Sequence, residues 1–441
     1  MREGGALMGS YIPNNPTERD RMLETLGLKT VDELYAQIPD EIKVKKLHLP
    51  DGLSELEVSR QIHRMADRNI RFKTVFRGAG AYRHYIPAIV KSITAKEEFV
   101  TAYTPYQAEI SQGILQTIFE FQTEICRLTG MDVANASMYD GASAAAEAVT
   151  MCMERKRTKM IVSATVDPMT LRTVRTYCHG KGVELVVAPA RDGVTDLEAL
   201  APDYTVAGIY IQQPNYYGLI EDAAAIGKKA HAAGAKFVTG VNPVSLAILK
   251  TPAENGADIA TGEAQPLGLP LSFGGPWLGF MACTAAMMRK LPGRIAGETV
   301  DVDGRRAFVL TLQAREQHIR REKAPSNVCS NQALCALAAT AYMAAMGPEG
   351  LRRAATQCLS KAHYAAAAIS EIPGFGLRYP GAFFHEFMTE CPGDAAAVMA
   401  ALEKEGILGG YPLEGGILWC VTEMNTKEEI DHLVKILRET A

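Results

Sequence analysis

The strongest constraint in this chain is a rhythm. From about Asn135 to Thr284, apolar runs of strand length alternate with helical stretches. The candidate strands are Met160–Val166, Val183–Ala190, Val206–Gln212, Lys236–Val241, Asp258–Gly262 and Leu278–Thr284. Helices such as Ala142–Arg157, Pro168–His179 and Asp222–Ala233 separate them. A strand with one wet face alternates apolar and polar residues, whereas a strand covered on both faces reads as a near-continuous apolar run. These runs are of the second kind. They predict an α/β fold built on a mostly parallel sheet, with helices on both faces and right-handed crossovers.

The flanks read differently. The first hundred residues predict short helices and loops, and the pairs Thr17 with Asp20, Thr30 with Glu33 and Ser54 with Glu57 have capping-box spacing. Tyr and Pro cluster from Tyr82 to Tyr106, before an amphipathic helix over Ser111–Thr129 that stops at Gly130. After Gly304 comes a charged stretch, Arg315 to Lys323. The last hundred residues predict a smaller α+β domain. It has a helix Leu351–Ile372, a strand near Phe384–Thr389, a helix Asp394–Glu405, a strand Gly416–Thr422 and a capped last helix from Thr426. The expected division of the 441 residues is an N-terminal helical and extended segment (1–95), a large α/β domain (96–325) and a small C-terminal α+β domain (326–441).

Charge and cysteine usage narrow the function classes. Lys and Arg number 46 against 50 Asp and Glu, so nothing draws the chain generally to nucleic acid or an anionic membrane. No apolar run reaches the roughly 20 residues of a membrane span. Nine scattered cysteines contain no Cys-x-x-Cys, so neither a zinc module nor a disulfide framework is indicated, and no metal site is expected. The start, Met1 to Arg21, is polar and does not read as a signal peptide, and Met8 offers a second initiation point. The expected compartment is the cytoplasm.

Several phrases are distinctive. They include Tyr103-Thr104-Pro105-Tyr106-Gln107-Ala108-Glu109-Ile110-Ser111-Gln112-Gly113, Asn135-Ala136-Ser137-Met138-Tyr139-Asp140-Gly141 and Gln213-Pro214-Asn215-Tyr216-Tyr217-Gly218. Ala264-Gln265-Pro266-Leu267-Gly268, Ser272-Phe273-Gly274-Gly275-Pro276 and the charged run from Arg315 to Lys323 complete the set. Together, from about Tyr11 to the C-terminus, they closely resemble the alpha subunits of the two-chain bacterial P-protein, the glycine dehydrogenase (decarboxylating) of the glycine cleavage system. The resemblance implies fold type I of the pyridoxal-phosphate (PLP) enzymes, with a large α/β domain and a small C-terminal domain. It also implies decarboxylation of glycine, release of CO2 and transfer of the aminomethyl group to the lipoyl arm of H-protein. The expected assembly is a heterotetramer, a dimer of alpha–beta dimers. NAD use is not expected, since the family's electron acceptor is the lipoyl disulfide, and Gly78-Ala79-Gly80 lacks the context of a dinucleotide loop.

PLP chemistry needs a lysine to hold the cofactor, a carboxylate to pair with the pyridine nitrogen, and backbone N–H groups at a helix start to hold the phosphate. Asp140-Gly141-Ala142-Ser143 has the character of the phosphate turn, but Gly-Ala-Ser is common and the residues alone favour an ordinary tight turn capped by Asp140 or Ser143. At the end of the strand Lys236–Val241 stands Asn242, a neutral amide that cannot stabilise a pyridinium as a carboxylate does. Gln265 and Pro266 occupy the lysine region, and no lysine at all lies between Lys250 and Lys290. Gly141, Ala142, Ser143 and Asn242 are therefore expected to line a degenerate pocket without covalent cofactor. The resemblance agrees: in the two-chain form PLP belongs to the beta subunit, which this chain would complete from across an interface.

Three loops are candidates for that completion. Tyr103, Thr104, Pro105, Tyr106 and Gln107 would wall the glycine pocket; the plain alternative is a packed Tyr/Pro loop. Asn135, Ser137 and Tyr139 form the second, or else a simple strand-to-helix turn. Ser326 and Asn327, after Lys323-Ala324-Pro325, form the third, or else part of a solvated charged helix. Lone His84 and His318 read as structural. Two other functions stay open at this stage: a catalytically inert structural or regulatory paralogue of a type I PLP enzyme, and a self-sufficient PLP enzyme using an unexpected lysine.

Overall fold

A computed structural model describes residues 15–44, 48–100 and 103–440. The alternative starts at Met1 and Met8 lie outside the described residues. The chain divides into two compact units, Met1–Ile70 and Arg71–Ala441.

The first unit holds the helices Pro16–Thr25 and Glu55–Ala66 with a 3-10 turn, Val31–Tyr35, between them. The boxes at Thr30/Glu33 and Ser54/Glu57 form as the spacing predicts. The first does not: Asn15 caps the opening helix, its Oδ1 accepting from Glu18 N–H at 2.9 Å, because Pro16 fixes the first helical turn two residues earlier than a Thr17 cap would.

In the second unit the predicted rhythm becomes a seven-stranded sheet. From edge to edge its order is Val133–Ala134, Gly279–Cys283, Ile259–Glu263, Lys236–Val241, Val206–Gln213, Lys159–Ser163 and Glu184–Ala188. All neighbours are parallel except Gly279–Cys283, which runs antiparallel to both of its partners. Alternate residues feed two cores. Ile161, Ile209, Ile211, Phe237, Ala260 and Phe280 pack beneath the helices Gln112–Thr129 and Ala223–Ala232. Met160, Val162, Tyr210, Val238, Ile259 and Met281 pack beneath Gly141–Cys152 and Pro168–Lys181. Burial on both faces explains the unbroken apolar runs.

The amphipathic helix ends as predicted, with Gly130 in the left-handed region (φ 73°). The helix beginning at Gly141 stops at Cys152, short of the predicted Arg157, because Met153 turns extended and a tight Glu154–Arg157 turn follows. An antiparallel hairpin, Ile295–Val300 with Arg306–Thr311, was not legible beforehand; it covers Leu115 and Ile118 of the amphipathic helix. The charged stretch is three short turns rather than one helix.

The expected helix from Leu351 starts earlier. Ala333–Ser370 is helical throughout except at Gly347 (φ 60°), next to Pro348. Its first half packs in the core of the large sheet, through Ala336, Ala339 and Tyr342. Its second half packs in a separate core with Trp419, Phe387 and Leu433. That core is closed by a three-stranded sheet, Glu386–Thr389, Gly416–Cys420 and Tyr411–Leu413, and by the helices Ala395–Lys404 and Lys427–Thr440.

Phe237 is fully buried at the centre of the sheet. Phe237→Ala should cost about 3–5 kcal/mol through lost burial and a residual cavity. The check is the unfolding midpoint in urea; a loss below about 1 kcal/mol would show that the site collapses around the void.

Candidate active site

Ligands in sheets of this kind sit outside the carboxyl ends of the parallel strands. Here those ends open on a cavity of about 360 Å³, bounded by Gly141, Asp167, Tyr210, Asn242, Glu263 and Trp277 among others. The predicted degenerate pocket is thus assembled: Gly141, Ala142 and Asn242 all line it. Ser143 is turned to a local task. Its N–H donates to Asp140 Oδ1 at 2.7 Å, and Asp140 N–H donates to Ser143 Oγ at 3.2 Å, which makes the helix cap foreseen as the plain alternative.

The side chains do not fit PLP. No lysine or arginine is among the described residues lining the cavity. Gln265 is buried, and its amide clamps two backbone segments: Oε1 accepts from Tyr82 N–H at 3.0 Å, while Nε2 donates to Tyr82 O at 2.9 Å and Leu269 O at 2.8 Å. Asn242 spends its amide similarly, with Oδ1 accepting from Val244 N–H and Nδ2 donating to His385 Nε2 at 3.0 Å. His385 accepts that bond as a neutral ring, since burial and the neighbouring His84 push its pKa down to about 3. At the phosphate turn, Gly141 N–H donates to the Glu263 carboxylate. Anchor, pyridine partner and phosphate donors are each absent or engaged.

Above the cavity the chain from Gly78 to Tyr82 is pinned by a second buried carboxylate. Glu386 accepts from Ala79 N–H at 2.6 Å and from the Tyr82 hydroxyl at 2.7 Å. Gly78 is required here, because a Cβ would collide with Glu386 Oε1. Nearby, His84 Nδ1 and Cys358 Sγ both bond Glu423 Oε2, at 2.8 and 3.3 Å, so this group of potential metal ligands is closed on itself.

The three completing loops meet at a different place, around Arg294. This arginine is 2% exposed and escaped the sequence reading, since nothing in Leu291-Pro292-Gly293-Arg294 marks it. Its Nη2 donates to the Tyr106 hydroxyl at 2.6 Å while its guanidinium lies 5.0 Å from the Tyr106 ring centre. Its Nη1 donates to Cys329 O, and its Nε lies 4.0 Å from the buried Glu316. Cys329 N–H in turn donates to the Tyr139 hydroxyl at 3.3 Å. His318 meets the Tyr106 ring edge-on at 5.7 Å. Asn135 and Ser137 are fully buried braces: Asn135 Nδ2 donates to Pro292 O, and Ser137 Oγ accepts from Asn331 Nδ2 and Gln332 N–H. Ser326 is buried and accepts from Val328 N–H. Pro105 is buried and Thr104 half-buried, its carbonyl accepting from Tyr106 N–H. Tyr103, Gln107 and Asn327 face outward, and Tyr106 and Tyr139 keep exposed edges.

Comparison with known proteins gives consistent results. The family model described as glycine cleavage system P-protein matches residues 9–437. A protein of Moorella thermoacetica named "Probable glycine dehydrogenase (decarboxylating) subunit 1" is 50% identical over 440 residues, covering 97% of this chain and 99% of that protein. A protein of the same name from Bacillus cereus is 47% identical over 441 residues, covering 97% and 98%. Among solved structures, a glycine decarboxylase (P-protein) of the glycine cleavage system in inhibitor-bound form superposes with a TM-score of 0.94 at 42% identity, covering 98% of this chain and all of that one. A sphingosine-1-phosphate lyase of Burkholderia pseudomallei shares the fold alone, with a TM-score of 0.67 at 15% identity over 91% of this chain and 93% of that one. The architecture is PLP fold type I, as the sequence resemblance implied.

The buried Glu386 gives the roof of the cavity a pH dependence. Burial pushes its carboxyl up to about 7, against opposing bonds from Ala79 N–H and Tyr82. The folded chain therefore holds a proton that the unfolded chain releases near pH 4.5, so this stability is complete below pH 4.5 and is lost as pH rises through 7. Glu386→Gln has no proton to lose. Between pH 4 and pH 8 the variant should gain on the parent by roughly 3 kcal/mol. Denaturation midpoints at the two pH values check this, and a gap that does not change with pH rejects it.

Proposed function

The chain belongs to the glycine cleavage system P-protein family, and from that premise we propose that it is the half of a two-chain glycine dehydrogenase (decarboxylating) that does not hold the cofactor. Its partner, the beta subunit, supplies the lysine, the carboxylate and PLP. Together they decarboxylate glycine, release CO2 and transfer the aminomethyl group to the lipoyl arm of H-protein. The working assembly is a dimer of alpha–beta dimers in the cytoplasm. No helix among the described residues is long and apolar enough to cross a membrane.

The observation that carries this division of labour is the sealed lysine position. A covalent anchor needs a free amine aimed into the cavity; no lysine is among its described lining residues, and Gln265, which the resemblance puts in the lysine region, has both amide groups bonded to backbone. This also speaks against a self-sufficient enzyme. What the chain contributes is the outer face around Arg294. Tyr106 is held there by a charge-assisted hydrogen bond and a ring contact to the same guanidinium. A rigid aromatic wall of that kind closes a neighbouring pocket and excludes water from it. Tyr139, tied to Cys329, lies on the same wall. The curated relatives carry an enzyme's name, which gives the inert-paralogue reading no support.

Two measurements test the proposal. The purified chain mixed with PLP should show no absorbance band of a lysine-bound aldehyde and no borohydride-stable adduct; either signal refutes the division of labour. In the reconstituted complex, Tyr106→Phe removes the acceptor of the Arg294 bond but keeps the ring. Glycine decarboxylation should fall about tenfold or more with assembly intact. Unchanged turnover in an intact complex would mean that this wall is a scaffold only.

A further inference from the structure

The turn at the cavity floor is filled by a side chain of this chain itself. The helix Gly141–Cys152 begins at the cavity floor, and its first N–H groups have no partner within the helix. In the absence of a ligand, such donors normally face water. Here they face a carboxylate from 122 positions further along the chain. Gly141 N–H donates to Glu263 Oε2 at 3.0 Å. The other oxygen, Oε1, accepts from Gln265 N–H and from Leu278 N–H, both at 3.0 Å. One carboxylate thus gathers three backbone N–H groups from three separate segments: a helix start, the turn after one strand and the lead into the next.

The fit is tight. A Cβ on Gly141 would stand 2.8 Å from Glu263 N and 3.0 Å from Glu263 Cβ, so the helix start and the strand end are in direct contact. Asp140 takes Ser143 N–H, two residues further into the turn, on its own carboxylate. Asp140, Asp167 and Glu263 all line the cavity, and no basic side chain among the described lining residues offsets them. An incoming phosphate dianion would meet Gly141 N–H and Ser143 N–H already engaged, with acidic side chains around them.

We propose that the Glu263 carboxyl, whose two oxygens hold three backbone N–H groups, takes the place of a cofactor phosphate, keeping the turn filled and closing this cavity to phosphate esters. A tethered carboxylate loses no translational freedom when it binds, whereas a free phosphate does, so the tethered group wins at ordinary phosphate concentrations. The cavity is therefore excluded from cofactor binding twice, once by the missing amine and once by the occupied turn. This goes beyond the proposed function, since it concerns non-covalent recognition by this chain alone.

The test is calorimetric titration of the full chain with inorganic phosphate and with pyridoxine 5'-phosphate, which carries the phosphate and ring but no aldehyde. The parent should show no saturable binding. Glu263→Ala frees three donors and should bind both probes at least about tenfold more tightly than the parent. Glu263→Gln keeps a carbonyl oxygen in the turn and should stay closed, which separates occupancy from charge. Equal binding by parent and Glu263→Ala, or no gain in a folded Glu263→Ala chain, overturns the assignment. Should that variant not fold, the parent decides: saturable pyridoxine 5'-phosphate binding that inorganic phosphate competes away overturns it, and its absence supports it. Turnover of the reconstituted complex is a separate readout, so failure here and failure of the subunit assignment are distinguishable.

Discussion

A helix that starts inside a protein needs something negative, or water, at its first turn. That requirement organises this molecule. The start of Gly141–Cys152 sits where parallel strands end, and its amide is met by Glu263 from the end of the neighbouring strand. The same residue ties down the two segments that follow, through Gln265 N–H and Leu278 N–H. Gln265 then reaches to the backbone of Tyr82, and Tyr82 to the buried Glu386. A continuous set of polar contacts thus links the carboxyl ends of the strands to the segment that roofs them.

Most of the fold was legible because parallel strands announce themselves. Burial on both faces makes their composition unambiguous, and the Lys236–Val241 boundaries follow from the pattern alone. Features set by contacts far apart in sequence were not. The Ile295–Thr311 hairpin is short, partly exposed and polar, so its pattern carries little signal. Helix ends moved where a local feature overrode periodicity: Pro16 shifted one cap, the Glu154–Arg157 turn cut one helix short, and the Gly347 break hid the true start of another.

At the site, the residues missing from the chemistry were easier to read than those present. The family resemblance sets an expected lysine and carboxylate against Gln265, Pro266 and Asn242, so a departure there is visible without a structure. Arg294 and Glu263 work through partners 188 and 122 residues away, and no spacing encodes that. The loop around Tyr106 was found by its composition, but the reason it is held still, a buried guanidinium against both the ring and the hydroxyl, became apparent only in three dimensions.

The Gln265 clamp bears on history as well as on chemistry. Replacing it by lysine would orphan the amide and carbonyl of Tyr82, each a buried group whose lost partner costs about 1–3 kcal/mol, and would set an ammonium among groups arranged for an amide. Asn242 and Glu263 would have to change in the same event for any benefit to appear. Each single step toward a chain with its own anchor therefore costs stability. If the subunit assignment proposed above holds, these same contacts make the division of labour between two chains hard to reverse.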